Sequence, residues 1–332
     1  MTAISIVVPT RNRADVLGSS LASIASQRAD ADFEVIVVDN ASSDGTADLL
    51  RAWAGRDDRF RPLREERLGR SCAMNAGISV AEGSLLLFTD DDVELAPGWV
   101  ESFRRFFESH EGLVIAGGAI EPAPPDLSSW PSWLSTASRA ADGPGLDHGE
   151  DERALHAHEF LWGASMAVPA QVFERLGTWN ETVGRRGDHR GTFEDIDFQQ
   201  RLRAAGGSVW YLPDARLRHR VPTAEVTPRR ILMRAYRNGR NDAWFPPGGG
   251  PSSAAGVVGG GAAFARWMAA TIAFRARPGA ARFDHARDAA RHAGRTGEQV
   301  AIGRHRARAF VQRLAWACAS TILSLAPDRP AR

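Results

Sequence analysis

"LLLFTDDDVELAPGWV", residues 85–100, joins an apolar run to three consecutive aspartates. Leu85 to Phe88 reads as a buried strand, a short apolar run bounded by polar residues. Three like charges at its end repel one another, and ionised carboxylates resist the loss of water. A divalent cation relieves both costs. In extended chain, alternate side chains point to one side. Asp90 and Asp92 therefore face one site and Asp91 another. Hard oxygen ligands suit Mg²⁺ or Mn²⁺. A solvated loop or helix start would carry similar letters, since acids favour helix N-termini and Glu94 and Pro97 follow.

The flanking segments supply the frame. Ile4 to Val8 is a β-branched run ending at Pro9, and Glu34 to Val38 is a second strand ending at Asp39. Between them Leu17, Leu21 and Ile24 recur at helical spacing. In "NASSDGTADLL", residues 40–50, Ser42, Ser43 and Asp44 are turn and N-cap residues before a helix carrying Leu49, Leu50 and Trp53. Residues 61–65 read as a short third strand, and Arg70 to Ala81 as a helix stopped by Gly83. Val100, Phe103 and Phe107 mark the next helix. Strand alternating with helix predicts a mostly parallel sheet flanked by helices. Ligands of such sheets bind beyond the carboxyl ends of the strands, where Asp39 and Asp90 to Asp92 lie.

The second half is less regular. Residues 120–158 are rich in Pro, Ser and Trp and read as a long functional loop. Leu161 to Val168 is strand-like. "GTFEDIDFQQRLRAAGG", residues 191–207, enters a helix with Phe198 and Leu202 on one face. Val209 to Leu212 is a last strand, stopped by Pro213.

Composition bounds the rest. The 332 residues, 43% apolar and 24% charged, suit one large domain or two small ones. Two cysteines, Cys72 and Cys318, offer neither metal spacing nor a disulfide framework, which favours a reducing, cytoplasmic compartment. Residues 4–8 are too short for a secretory signal, and no apolar run reaches spanning length. All 41 basic residues are arginine. From Arg229 to Arg332 there are 18 Arg against five acids, whereas residues 1–228 hold 23 Arg against 35 acids. An acidic body thus carries a basic tail. The expected organisation is a catalytic domain over 1–245, with halves at 1–119 and 120–245, a Gly/Pro/Ser-rich linker at 246–263, and a basic helical tail at 264–332. The tail segments "AFARWMAATIAF" and "AFVQRLAWACASTILSLAP" are apolar enough to pack on the body or to lie peripherally on the inner face of a membrane.

Four stretches in order, "VVPTRNRADVLGSSLASI", "EVIVVDNASSDGT", "FTDDDV" and "FEDIDFQQRLRAAG", resemble family 2 glycosyltransferases of the GT-A fold over residues 3–240. The resemblance implies a metal-dependent, inverting transfer from a nucleotide-diphospho-sugar to a hydroxyl acceptor. It places the family's Asp-x-Asp pattern on Asp90 and Asp92 as metal ligands, with Asp91 beside the donor. It assigns the nucleobase to Asp39, which suits uracil or thymine, with Pro9, Thr10 and Arg11 as the other wall. It makes Asp195 the general base and Glu194 its acceptor-side neighbour, leaving Asp197 as a helix-start residue or a partner of Arg201. "GRSCAMNAGI" carries Met74 where the family commonly has Arg, so Arg70, one turn earlier, stands in for it on the donor. Asn75 reads as a structural cap, Trp162 in "LWGASMAVP" as an acceptor platform, and His219 in "LRHRVP" as a metal or diphosphate ligand.

Rival classes fit less well. A dinucleotide-binding dehydrogenase needs Gly-x-Gly-x-x-Gly after the first strand, where "PTRNRAD" stands. A sugar nucleotidyltransferase needs a Gly-rich loop there. A catalytically silent sugar-nucleotide or lipid-binding protein of the same fold is the alternative that the acids at 90, 92 and 195 weigh against. The basic tail lacks a nucleic-acid module, so no nucleic-acid partner is expected.

Overall fold

The computed structural model describes residues 4–123, 130–136, 138–139, 145–182, 185–186, 189–190, 194–244, 259–303 and 318–325. Four short apolar strands form a parallel layer: β1 (Ile4–Thr10), β2 (Phe33–Asp39), β3 (Phe60–Arg64) and β4 (Leu85–Thr89). Helices α1 (Leu17–Ala25), α2 (Thr46–Ala54) and α3 (Arg70–Val80) connect them. Near-continuous apolar residues in β1, β2 and β4 reflect cover on both faces, whereas the edge strand β3, FRPLR, exposes alternate residues. β1 and β2 pair in register from Ile4 with Phe33 to Thr10 with Asp39, which sets Thr10 and Asp39 side by side. β4 pairs with the other edge of β1, so its aspartates emerge at the same end.

The chain continues through β5 (Val93–Leu95), α4 (Trp99–Ser109), β6 (Val114–Ala123), β7 (Arg153–Ala154), β8 (Ser165–Pro169) and α5 (Ala170–Leu176). β9 (Arg185–Arg186) and β10 (His189–Arg190) form a small separate ladder. Then come α6 (Glu194–Ala204) and β11 (Ser208–Arg220). The sheet order is β3-β2-β1-β4-β8-β6-β11-β5, with β7 also on β11. β8 pairs antiparallel with both β4 and β6, and β11 pairs antiparallel with both β5 and β7.

Three expectations need correction. Pro213 does not stop the last strand, which runs on to Arg220. It falls between the stretch paired with β7, at Trp210 and Tyr211, and the stretch paired with β5, from Leu217 to His219. Its missing N–H therefore interrupts neither ladder, and His219 lies within the strand rather than after it. In α4 the buried residues are Trp99, Val100, Phe103 and Phe106, and Phe107 is only half-buried. The long loop expected from 120 hides the end of β6, whose glycine pair masks its strand character.

That glycine pair has a packing cause. A Cβ on Gly118 would lie 1.7 Å from the carbonyl oxygen of Ala215, and one on Gly117 would lie 2.7 Å from that of Ser165. Neighbouring backbone fills the space. Gly118→Ala is expected to destabilise by about 1–3 kcal/mol or more, because the obstacle is backbone. Gly18→Ala, in α1 with nothing within 4 Å of the new methyl, is expected to gain about 0.4–1 kcal/mol. Urea unfolding of the two variants checks both signs.

The chain divides into two compact units, Met1–Glu121 with Leu146–Arg220, and Pro122–Gly145 with Val221–Arg332. These divisions fall at other points than the break at 245 read from composition. Residues 246–258 of the expected linker lie outside the described residues, and 259–263 open a helix. The first unit holds the sheet and its core. The second contains α7 (Pro228–Trp244), α8 (Gly259–Ala276) and α9 (Ala280–Gly303). Leu232, Tyr236, Trp267, Phe274 and Phe283 share its core. Among the described residues, no helix is long and apolar enough to cross a membrane.

Candidate active site

Two loops brace each other at the carboxyl ends of β1 and β2. Asn12 takes a left-handed conformation, φ +51°, and so does Ala41, φ +54°. The Asn12 N–H donates to Ser42 Oγ at 2.9 Å, and Ser43 N–H returns a bond to Asn12 Oδ1 at 2.8 Å. Asp44 accepts from Ala14 N at 3.1 Å and from Thr46 N at 3.0 Å, so it holds the first amide of α2 from one residue before the N-cap, which is Gly45. Buried Asp39 accepts from Ser42 N at 2.9 Å and pairs with Arg64 at 2.9 Å. A carboxylate offers about four lone-pair sites, so Asp39 retains room for a further donor.

The three aspartates leave β4 in a turn pinned to α1. Ser20 Oγ donates to the Asp91 carbonyl at 2.8 Å and accepts from Val93 N at 3.0 Å. The turn separates the side chains as alternation predicts. Asp91 turns inward and accepts from Thr10 Oγ1 at 2.7 Å. Burial, and then Asp92 beside it, push the Asp91 carboxyl up to about 7, against the opposing pull of Arg13 and Thr10. Asp92 meets Arg13 Nη2 at 3.0 Å and His219 Nε2 at 3.2 Å. Asp90, Asp92 and His219 offer ligand atoms that all lie within 4.8 Å of one another. His219 Nδ1 is buried and has no hydrogen-bond partner among the described residues. Two carboxylates and an imidazole this close fit a divalent cation.

A second group of acids joins the first through Arg70. This guanidinium lies 2.8 Å from Asp90, 3.5 Å from Glu194 and 3.4 Å from Asp195. Burial lowers its pKa, but Asp90, Asp195 and Glu194 outweigh that and raise it above the usual arginine value. Glu194 and Asp195 open α6, where negative charge is favoured. Asp195 Oδ2 accepts from Gly163 N at 2.9 Å. Buried Gln199, one turn on, clamps both backbone groups of Leu161, at 2.8 and 3.0 Å, to α6. The loop before β8 and the start of α6 are thus locked together.

Most of the expected site residues converge. Pro9 and Thr10 end β1, Asp90 to Asp92 end β4, and His219 reaches the same place from β11. Arg11 is exposed and pairs with no acid among the described residues. Arg13, two residues on, makes the contacts with Asp91 and Asp92. Asn75 is not a cap: its amide holds Trp179 and Glu181 across the unit. Asp197 pairs with Arg201 at 3.0 Å. Trp162 is half-buried against the core, next to Gly163.

Arg13, Gly163 and Gln199 were not read as site residues. Gln199 stands four residues after Asp195 on the same helix face, a spacing that offered a signal. Gly163 offered only its smallness, which is what the site needs. A Cβ there would lie 2.6 Å from Asp195 Oδ1 and 2.9 Å from Arg70 Nη2. Gly163→Ala is expected to wedge the pair apart, lowering turnover at least about tenfold through misplacement. Steady-state kinetics checks this.

The sequence pattern of Glycosyl transferase family 2 matches residues 5–163. Over that stretch, just under half of its length, the chain is similar to this family. AglE of Haloferax volcanii, a glycosyltransferase, is 32% identical over 213 residues, which cover 64% of this chain and 64% of AglE. Eight curated relatives are matched over 17% to 64% of their own length. Among solved structures, the mannosyltransferase PcManGT from Pyrobaculum calidifontis, in complex with GDP-Man and Mn²⁺, superposes with a TM-score of 0.51 at 20% identity, covering 97% of this chain and 78% of that one. S. aureus TarS 1-349, in complex with UDP-GlcNAc, gives a TM-score of 0.51 at 15% identity, covering 91% and 90%. These likenesses identify the fold as GT-A, a mostly parallel sheet flanked by helices.

Proposed function

We propose that this chain is a metal-dependent, inverting glycosyltransferase of family 2 that moves a sugar from a nucleotide-diphospho-sugar to an acceptor hydroxyl. One observation carries the reading. Arg70 joins Asp90, in the group of candidate cation ligands, to Asp195, in the group of candidate bases, within one partly buried cluster. Inverting transfer needs both functions on opposite faces of one anomeric carbon. Asp195 takes the proton from the attacking hydroxyl, and Glu194 orients it. A divalent cation, Mn²⁺ or Mg²⁺, held by Asp90, Asp92 and His219 would neutralise charge on the departing diphosphate. Asp39, with Pro9, Thr10 and Arg11, receives the nucleobase, and its acceptor chemistry favours UDP- or dTDP-sugars. Asp91 holds Thr10 in place beside the donor. Arg70 orients the acids rather than reading the base. Trp162 supplies a platform for the acceptor, a polysaccharide, lipid-linked or natural-product hydroxyl.

A neighbour of this fold holds GDP-Man with Mn²⁺ and another holds UDP-GlcNAc, which supports a nucleotide-sugar donor. The basic C-terminal region makes peripheral contact with the cytoplasmic face of a membrane, and no nucleic acid takes part. Nucleotide release from a panel of UDP-, dTDP- and GDP-sugars, with and without Mn²⁺ or Mg²⁺, tests the function. Metal-dependent hydrolysis of one donor is the expected result. No release from any donor, with no metal-dependent nucleotide binding, would overturn it.

A further inference from the structure

The second unit breaks an ordinary rule at one helix. α7 turns Arg229, Arg230 and Arg237 outward. The exposed positions of α9 include Arg282, His285, Asp288 and His292, and the helical stretch at 318–325 exposes Ser320, Thr321 and Ser324. α8 does otherwise. One side, with Ala263, Trp267, Ala270 and Phe274, is buried in the core of the unit. The opposite side is also apolar. Ala265, Met268, Ala269, Ile272, Ala273 and Ala276 recur at helical spacing and are exposed. Met268 is 41% and Ile272 49% exposed, one turn apart, and among the described residues the only other large hydrophobic exposed so far is Leu68 in the first unit. A helix that is apolar all round is ordinarily covered on every side.

The margins of this face say what covers it. On the 3.6-residue helical wheel Arg275 falls beside Met268 on one margin, and Arg266 falls beside Ala273 on the other, with Arg277 following. All three are exposed. No acid occurs between Asp242 and Asp284, a stretch that holds four arginines. A second copy of the face, related by two-fold symmetry, would set arginine against arginine. An anionic lipid surface accepts both parts, apolar side chains at the acyl boundary and guanidinium groups among the headgroups. The helix lies in the interface plane, since no described helix is fit to span.

We propose that the outer face of α8 docks on an anionic lipid bilayer, with Met268 and Ile272 inserting and Arg266, Arg275 and Arg277 binding headgroups. This names the surface and the lipid class for the membrane contact suggested above, and it stands or falls without reference to catalysis. The test is flotation of the full chain with vesicles of phosphatidylcholine alone or mixed with phosphatidylglycerol, at low and high salt, with no sugar donor present. The wild type is expected to float with the anionic vesicles and to be released by salt. Met268→Gln with Ile272→Gln is expected to weaken partition at least about tenfold. Arg266→Gln, Arg275→Gln and Arg277→Gln together are expected to weaken it about a hundredfold. The substituted side chains are exposed, so circular dichroism and the melting temperature should match the wild type. Three results would overturn the proposal. One is no binding of the folded wild type to anionic vesicles. Another is equal binding by the Met268/Ile272 variant, which would leave charge alone. The third is a wild-type dimer in sedimentation that this variant dissociates, which would assign the face to a second copy.

Discussion

Asp195→Asn is expected to lower the rate of glycosyl transfer by about two to four orders of magnitude, the usual contribution of a positioned general base. Asparagine keeps the shape of the side chain and can still accept the 2.9 Å bond from Gly163 N. It cannot take a proton. Arg70 keeps Asp90 at 2.8 Å and Glu194 at 3.5 Å, so the buried cation is not left without acids. The variant should therefore fold, bind Mn²⁺ and bind nucleotide as the wild type does. That pattern separates a base from a structural carboxylate, whose loss would also move stability and donor affinity. Glu194→Gln is the companion. Glu194 is 2% exposed and opens α6, so this change is expected to lower the melting temperature as well as the rate. A turnover number for Asp195→Asn within tenfold of wild type would remove Asp195 from the proton transfer and leave Glu194 as the base to test.

The sequence disclosed this site unevenly, for a physical reason. β1, β2 and β4 stand within two residues of the runs read as strands, because strands covered on both faces are continuously apolar. The acids at their ends were legible because charge at a buried edge demands a cause. β6 was not legible, since Gly117 and Gly118 carry none of the strand-favouring side chains. Their job is to admit the backbone of β8 and β11, which sequence pattern does not reveal. Arg13 and Gly163 were missed on similar grounds. Arg13 reaches Asp92 across 79 residues of chain, and Gly163 reaches Asp195 across 32. Residue type announces what a side chain can do, whereas partner and distance come only from the fold. Arg70 shows the limit well. It was read as a donor contact from the family's pattern, and the structure sets it among three acids.

Asp92→Ala is expected to abolish the rise in melting temperature that Mn²⁺ should give the wild type. Asp92 is the carboxylate shared by the cation group and by Arg13, and His219 Nε2 faces it at 3.2 Å. A cation that binds only the folded chain stabilises it by about 2.7 kcal/mol at a hundredfold excess over its Kd. For a unit of this size that is a shift of about 5–10 °C. Removing a ligand should weaken Mn²⁺ at least about a hundredfold, more than loss of a supporting residue usually does. Without cation the variant should be nearly as stable as the wild type. Arg13 is partly exposed and still has Asp91 at 3.7 Å, so the lost ion pair is worth about 1 kcal/mol or less. Asp91 also loses the neighbour that, after burial, does most to push it up. The two melting curves, with and without Mn²⁺, thus carry the prediction without any knowledge of donor or acceptor. An unchanged Mn²⁺ shift in Asp92→Ala would place the cation elsewhere and break the link between these acids and the leaving diphosphate. A shift lost together with donor hydrolysis would tie both to one carboxylate, which is what a cation seated between Asp90, Asp92 and His219 requires.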